Sequence, residues 1–149
     1  MSNPKNDLYY TASILEFLAR RTHNSPRSVA LALGPEGIAQ LYAVAEVDHC
    51  LSFEEVADEL AERYQISEGK HDPLSSKPED IRAPSVTAIG KNYAGIVESF
   101  AATPEDYPRV LFEVMSSQIP DWMDDYHSAF FYSPTDYLCA RYASLLTGK

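Results

Sequence analysis

Cysteine is scarce in this sequence, and neither an apolar run of membrane-spanning length nor a basic region is present. The two cysteines among 149 residues, Cys50 and Cys139, lie far apart in the chain. A chain of this length can bury enough apolar surface without disulfides or metals, so we expect both thiols to be reduced. No run approaches the roughly 20 apolar residues that cross a bilayer, and the polar first seven residues lack an apolar signal core. These absences predict a cytoplasmic protein that is neither secreted nor inserted into a membrane.

Positive charge is also in short supply. The chain has 12 Lys and Arg residues against 22 Asp and Glu residues, a formal net charge of −10. A surface of this sign repels phosphate backbones and anionic lipids, so direct binding to nucleic acid or to a membrane is not expected. The charge either serves only to keep the protein soluble or favours a basic protein as partner.

The sequence lacks the motifs that usually carry catalysis. It contains no GxSxG, no HExxH and no kinase or zinc-deaminase signature. The glycines of segment 34–37 are not followed by the lysine of a phosphate-binding loop, and Pro35 removes one amide that would hold an anion, so this segment predicts a turn between helices. We therefore predict no catalytic residues, no metal ligands and no cofactor, which favours a role other than catalysis.

Apolar residues recur at three- and four-residue steps along most of the chain, which predicts an all-α fold of about six or seven helices. Helix starts are expected at Asp7, at Ser25 before a proline, at Ser52 in a capping box with Glu55, and at Ser133 before a proline. No window shows the sustained alternation of a β-strand, and only segments 28–33 and 129–132 could form a short one.

Residues 65–84 are rich in proline, serine and glycine and predict a linker or a long ordered loop. One helical domain over residues 1–149 is the first interpretation. The second is a pair of lobes, 7–64 and 85–149, joined by this loop.

Three aspartates, Asp121, Asp124 and Asp125, lie close to His127. On a helix the three carboxylates would share one face, which suggests a site for a hard cation and a small metal-dependent enzyme. The alternative is that these acids follow Pro120 because the first turn of a helix favours negative charge.

Aromatic residues cluster late in the chain, where they either line the core or form a protein interface. An acidic surface with an aromatic centre would suit a basic partner. The candidate interaction surface consists of Trp122, Tyr126, Phe130, Phe131, Tyr132, Asp121, Asp124 and Asp125.

The first part of the chain carries a family resemblance. The segments concerned are 8–17, which opens Leu-Tyr-Tyr and ends Glu-Phe, then 37–42 and the Asp48-His49 pair before an acidic helix. Through them residues 8–64 resemble an uncharacterised bacterial family of small helical domains often encoded beside ADP-ribosyltransferase-like toxin modules. The resemblance supplies no catalytic residues and implies an antitoxin or another non-catalytic partner; residues 85–149 lie outside it.

These observations lead to three functional hypotheses. The first is a non-catalytic, acidic protein-interaction module, with an antitoxin as its specific form. The second is the metal-dependent enzyme that uses the three aspartates. The third is a nucleic-acid mimic, whose carboxylates would have to be spaced along one surface like phosphates.

Overall fold

A computed structural model describes residues 3–148 of the chain. Within that range the protein contains eight α-helices, two short 3₁₀-helices at Pro104–Asp106 and Phe130–Tyr132, and no β-strand, so the predicted all-α fold is confirmed. The α-helices are α1 (Pro4–Thr22), α2 (Pro26–Ala43), α3 (Ala45–Asp48), α4 (Phe53–Arg63), α5 (Val86–Phe100), α6 (Tyr107–Met115), α7 (Ile119–Met123) and α8 (Thr135–Thr147).

Helix α1 begins earlier than the apolar pattern predicts. The Asn3 side chain accepts hydrogen bonds from the Lys5 and Asn6 amides at 3.0 and 3.2 Å, and Pro4 occupies the first helical position. The prediction of Asp7 as the N-cap is therefore wrong. The first turn is polar and exposed, so apolar periodicity gives no sign of it, whereas a cap residue followed by proline does.

Helix α2 contains the break predicted at segment 34–37. Gly34 has φ +72° and ψ 174°, a conformation that residues with a Cβ rarely adopt, and Pro35 follows it. The chain resumes helical structure at once, so the two helices expected on either side of the break are the two limbs of α2. Ser25 caps the first limb by accepting from the Ser28 amide at 3.1 Å.

Two further predicted helix starts have different outcomes. The capping box of α4 is present, with the Ser52 hydroxyl accepting from the Glu55 amide at 3.1 Å. Helix α8 instead begins one residue later than predicted, at Thr135, and has no side-chain cap. The hydroxyl of Ser133 donates to the Ala129 carbonyl at 2.6 Å and is directed to the preceding turn rather than to α8.

Helix α1 lies at the centre of the molecule and packs against α2, α4 and α5. Its contact with α5 is the most extensive between any two of the helices and joins the first half of the chain to the second. One hydrophobic core contains residues of both halves, from Leu8 in α1 to Tyr142 in α8. No helix within residues 3–148 is long and apolar enough to cross a membrane.

The long segment 65–84 is tied to both halves of the molecule. Near its start, the Gly69 amide donates to the Thr22 carbonyl at 2.8 Å. Near its middle, the Nε2 atom of His127 lies 2.8 Å from the Ser76 carbonyl. The segment is therefore an ordered loop that covers the C-terminal end of α1 and the region after α7.

Candidate functional site

The late aromatic residues divide into a buried group and a surface group. Tyr126 and Phe131 are 5% and 6% exposed and meet edge to face with ring centroids 5.1 Å apart. Apolar burial holds these two rings inside the protein, so they do not belong to the candidate interaction surface. Tyr132, by contrast, is 67% exposed, and its ring contacts solvent on the outside of Phe131.

The surface group is centred on a row of three rings, Trp122, Phe130 and Tyr137, in which each ring lies beside the next. We call this row the aromatic stack. The rings of Trp122 and Phe130 are stacked at 5.0 Å, and the ring of Tyr137 lies 5.9 Å from that of Phe130. The guanidinium of Arg141 lies over both Trp122 and Phe130, at 5.2 and 6.0 Å from the ring centroids. Trp122 and Phe130 are half-buried and Tyr137 is 48% exposed, so the stack forms part of the surface.

The three aspartates suggested as metal ligands do not form one site. Within residues 3–148 no group of three or more acidic, histidine or cysteine side chains is placed to hold a metal ion. Each aspartate is engaged elsewhere: Asp121 with Arg27 at 3.2 Å, Asp124 with His71 at 2.7 Å, and Asp125 with the backbone amide of His127 at 3.0 Å. Helix α7 ends at Met123, so the shared helical face on which the metal hypothesis depends does not exist.

Asp124 belongs instead to a group of ionisable side chains, the polar cluster, made of the buried Glu16, the partly buried Arg20 and Asp124, and the exposed His71. Glu16 is 1% exposed, and its Oε2 accepts a hydrogen bond from Arg20 Nε at 2.8 Å. Arg20 also donates through Nη2 to the Pro84 carbonyl at 3.1 Å. The cluster thus joins α1, the 65–84 loop and the turn after α7.

Two oxygen atoms at this place are buried without a hydrogen-bond partner: Oε1 of Glu16 and the hydroxyl of Tyr93. Glu16 lines a cavity of about 60 Å³ together with Arg20, His71, Asp124 and Tyr126. The remainder of the lining comes from the end of α1 and from the loop and includes His23, Asn24, Asp72, Pro73 and Leu74. Buried polar atoms normally have partners, so an unpaired carboxylate oxygen beside a cavity calls for an explanation.

The electrostatics of the cluster are dominated by burial. Burial raises the pKa of Glu16 to about 7, the nearby Asp124 carboxylate adds to the rise, and Arg20 opposes it. Burial likewise raises the pKa of Asp124, against the opposing effects of His71 and Arg20. The pKa of Tyr93 is raised by burial and by the charges of Glu16 and Asp124, which shows that its hydroxyl lies near the same cluster.

Sequence reasoning missed the polar cluster, although one signal for it was present. Glu16 lies between Ala12 and Ala19 at helical spacing, so it falls on the apolar stripe of α1. An acid on that stripe, followed four residues later by Arg20, indicates a buried ion pair. Nothing in the sequence indicates that His71 and Asp124 join it, because 53 residues separate them.

Comparison with known proteins adds no further information, since no protein-family model, curated protein or solved structure matches this chain.

Proposed function

We propose that this chain is a non-catalytic, acidic interaction module that binds a basic segment of another protein through the aromatic stack and Tyr132. The observation that carries the proposal is the 48% exposure of Tyr137 beside the stacked pair of Trp122 and Phe130, together with the 67% exposure of Tyr132 two residues after Phe130. Aromatic side chains lose little conformational entropy on binding and are enriched among the residues that dominate interface energies.

The negative charge around the aromatic stack indicates that the partner segment is basic. Acidic residues precede the stack's outer rings directly in sequence: Asp121 before Trp122, and Asp136 before Tyr137. Asp121 and Asp136 are both exposed, and the whole chain carries a net charge of −10. A basic segment would gain cation–π contacts with the exposed tyrosine rings and an ion pair with Asp136, since Arg141 already covers Trp122 and Phe130 and Arg27 pairs with Asp121.

From the family resemblance of residues 8–64 we further propose that the partner is a toxin-like protein, which the chain would bind as an antitoxin. The other two hypotheses have less support. The aspartates of the metal hypothesis have separate partners. For the mimic, the acidic face of α4 is partly neutralised, because Arg21 pairs with Asp58 and Arg63 pairs with Glu59.

We expect the double variant Tyr132→Ala/Tyr137→Ala to bind its partner at least about tenfold more weakly than the wild type, because truncating a central aromatic side chain commonly costs 2 kcal/mol or more. The measurement is affinity purification of the tagged protein from its native cells, with quantitative mass spectrometry of the proteins retained at low salt and at about 1 M salt. A partner held by charge is lost at high salt, where the screening length falls to about 3 Å.

The matched control is the double variant Leu31→Ala/Val47→Ala, which removes two exposed apolar side chains, 57% and 71% exposed, from α2 and α3. It should retain the partner like the wild type. For the antitoxin form, the wild type but not the aromatic variant should relieve the growth defect that the recovered partner causes in cells. Equal recovery with both double variants, or a partner that is itself acidic, contradicts the proposal.

A further inference from the structure

The cavity beside the polar cluster has the properties of a binding site for a small molecule, and this inference is independent of the proposed function. Its key group is the Glu16 carboxylate, which is 1% exposed. One oxygen accepts from Arg20, and the other, Oε1, has no partner although Glu16 lines the cavity. A buried carboxylate oxygen without a partner leaves a hydrogen bond unmade, and a donor held in the adjoining cavity would supply it.

The charges around the cavity set the sign of the ligand. Three acids, Glu16, Asp72 and Asp124, line it against one permanent cation, Arg20. The acids of the lining therefore outnumber its permanent cation. This excess favours a cation over an anion or a neutral molecule, because opposite charges attract more strongly beside partly buried carboxylates than in bulk water.

The volume sets the size of the ligand. One water molecule needs about 15 Å³, and a cavity of about 150 Å³ holds the six heavy atoms of benzene, or about 25 Å³ per atom. The cavity beside Glu16 measures about 60 Å³, which is more than one water requires and corresponds to two or three heavy atoms. Its apolar walls, which include Ala19 and Leu74, would contact a short hydrocarbon stem.

We infer that this cavity binds the ammonium head of a small primary amine, with the N–H groups donating to Glu16 Oε1 and the Asp124 carboxylate balancing the charge. An alkylammonium group has three N–H donors, which suits a lining in which carboxylates outnumber donors.

The test is an NMR titration of the full chain, labelled at its glutamate carboxyl carbons, with ethylammonium at pH 7.5. Ethanol serves as the neutral probe of the same size, and tetramethylammonium as a cation without N–H donors. We expect ethylammonium to shift the Glu16 carboxyl signal with a dissociation constant of about 1 mM, near the ceiling for three heavy atoms. The other two probes should bind at least about tenfold more weakly.

Two variants locate the site. Glu16→Gln keeps the shape but removes the charge, and it should weaken ethylammonium binding at least tenfold. Glu62→Gln changes an exposed glutamate of α4 in the same way and should leave binding unchanged. The wild-type carboxyl signal gives an answer even if Glu16→Gln does not fold. An unmoved Glu16 signal, equal binding of ethanol, or undiminished binding by the folded Glu16→Gln variant overturns the inference.

Discussion

Replacing Gly90 with valine is expected to lower the free energy of unfolding by roughly 3 kcal/mol and the melting temperature by roughly 10 °C. Gly90 lies in α5 where that helix crosses α1. A Cβ atom built on it would lie 2.3 Å from the Ser13 hydroxyl and 3.0 Å from the Ser13 backbone nitrogen and Cα. A hydroxyl can rotate away, but the backbone of α1 cannot, so the two helices would have to separate. Urea denaturation followed by circular dichroism measures the effect.

Helix propensity predicts the opposite change in stability for this substitution, so the effect of packing can be separated from that of propensity. Valine is more favourable than glycine inside a helix by about 0.3 kcal/mol, so a loss of stability at Gly90 must come from packing. Lys91→Val is the control: it places the same side chain on the next residue of α5, which is exposed, and should change stability by less than about 1 kcal/mol. If both variants are equally stable, the close approach of α1 and α5 is not tight in solution.

The helices could be predicted because their signals are local. The capping box at Ser52, the Ser25 cap and the turn at Gly34 each depend on residues within a few positions of one another, and all three are present. Close helix contacts are also present at Gly90 and Gly95, where a Cβ would lie less than 3 Å from a neighbouring side chain. At α1 the actual cap, Asn3, lies before the apolar pattern begins, so the pattern does not reveal it. At α8 the expected cap, Ser133, donates to the Ala129 carbonyl instead of capping the helix.

The candidate site was less predictable because it depends on contacts between distant segments. Asp124 was grouped with Asp121 and Asp125 by sequence, yet His71 in the long loop is its partner. Tyr126, Phe131 and Tyr132 are all aromatic residues of one short stretch, so the sequence does not distinguish them. The path of the chain around the 3₁₀-helix determines that the first two rings are buried and the third is exposed. Periodicity is of little use in this region, since α7 is only five residues long.

The polar cluster predicts an unusual dependence of stability on pH. The pKa of Glu16 rises from 4.5 to about 7 on folding, chiefly because the carboxyl group is buried. The folded protein therefore holds this proton more tightly than the unfolded chain does. Stability from this group is fully present below pH 4.5 and is lost as the pH rises through about 7. At about 1.4 kcal/mol per pKa unit, the loss between pH 4.5 and pH 8 is roughly 3 kcal/mol.

We expect Glu16→Gln to remove this dependence, because glutamine has a similar shape and does not titrate. The measurement is the free energy of unfolding in urea at several pH values from 5 to 8 for both proteins. The wild type should lose roughly 2.5 kcal/mol more than the variant between pH 5 and pH 8. The difference between the two proteins reports the titration of Glu16 together with its coupling to Asp124. The ionisable groups around Glu16 are otherwise the same in both proteins; they are Arg20, His71, Tyr93, Asp124 and Tyr126.

The control, Glu62→Gln, should follow the wild type at every pH, because an exposed carboxylate has a similar environment in the folded and unfolded chains. Two further observations would decide whether the Glu16 carboxyl group is protonated or ionised in the folded protein. Parallel curves for wild type and Glu16→Gln would mean that Arg20 keeps the carboxylate ionised throughout, and the pH prediction would be wrong. Added ethylammonium should reduce the difference between the proteins above pH 7, because a bound cation stabilises the ionised form of Glu16 in the folded state alone.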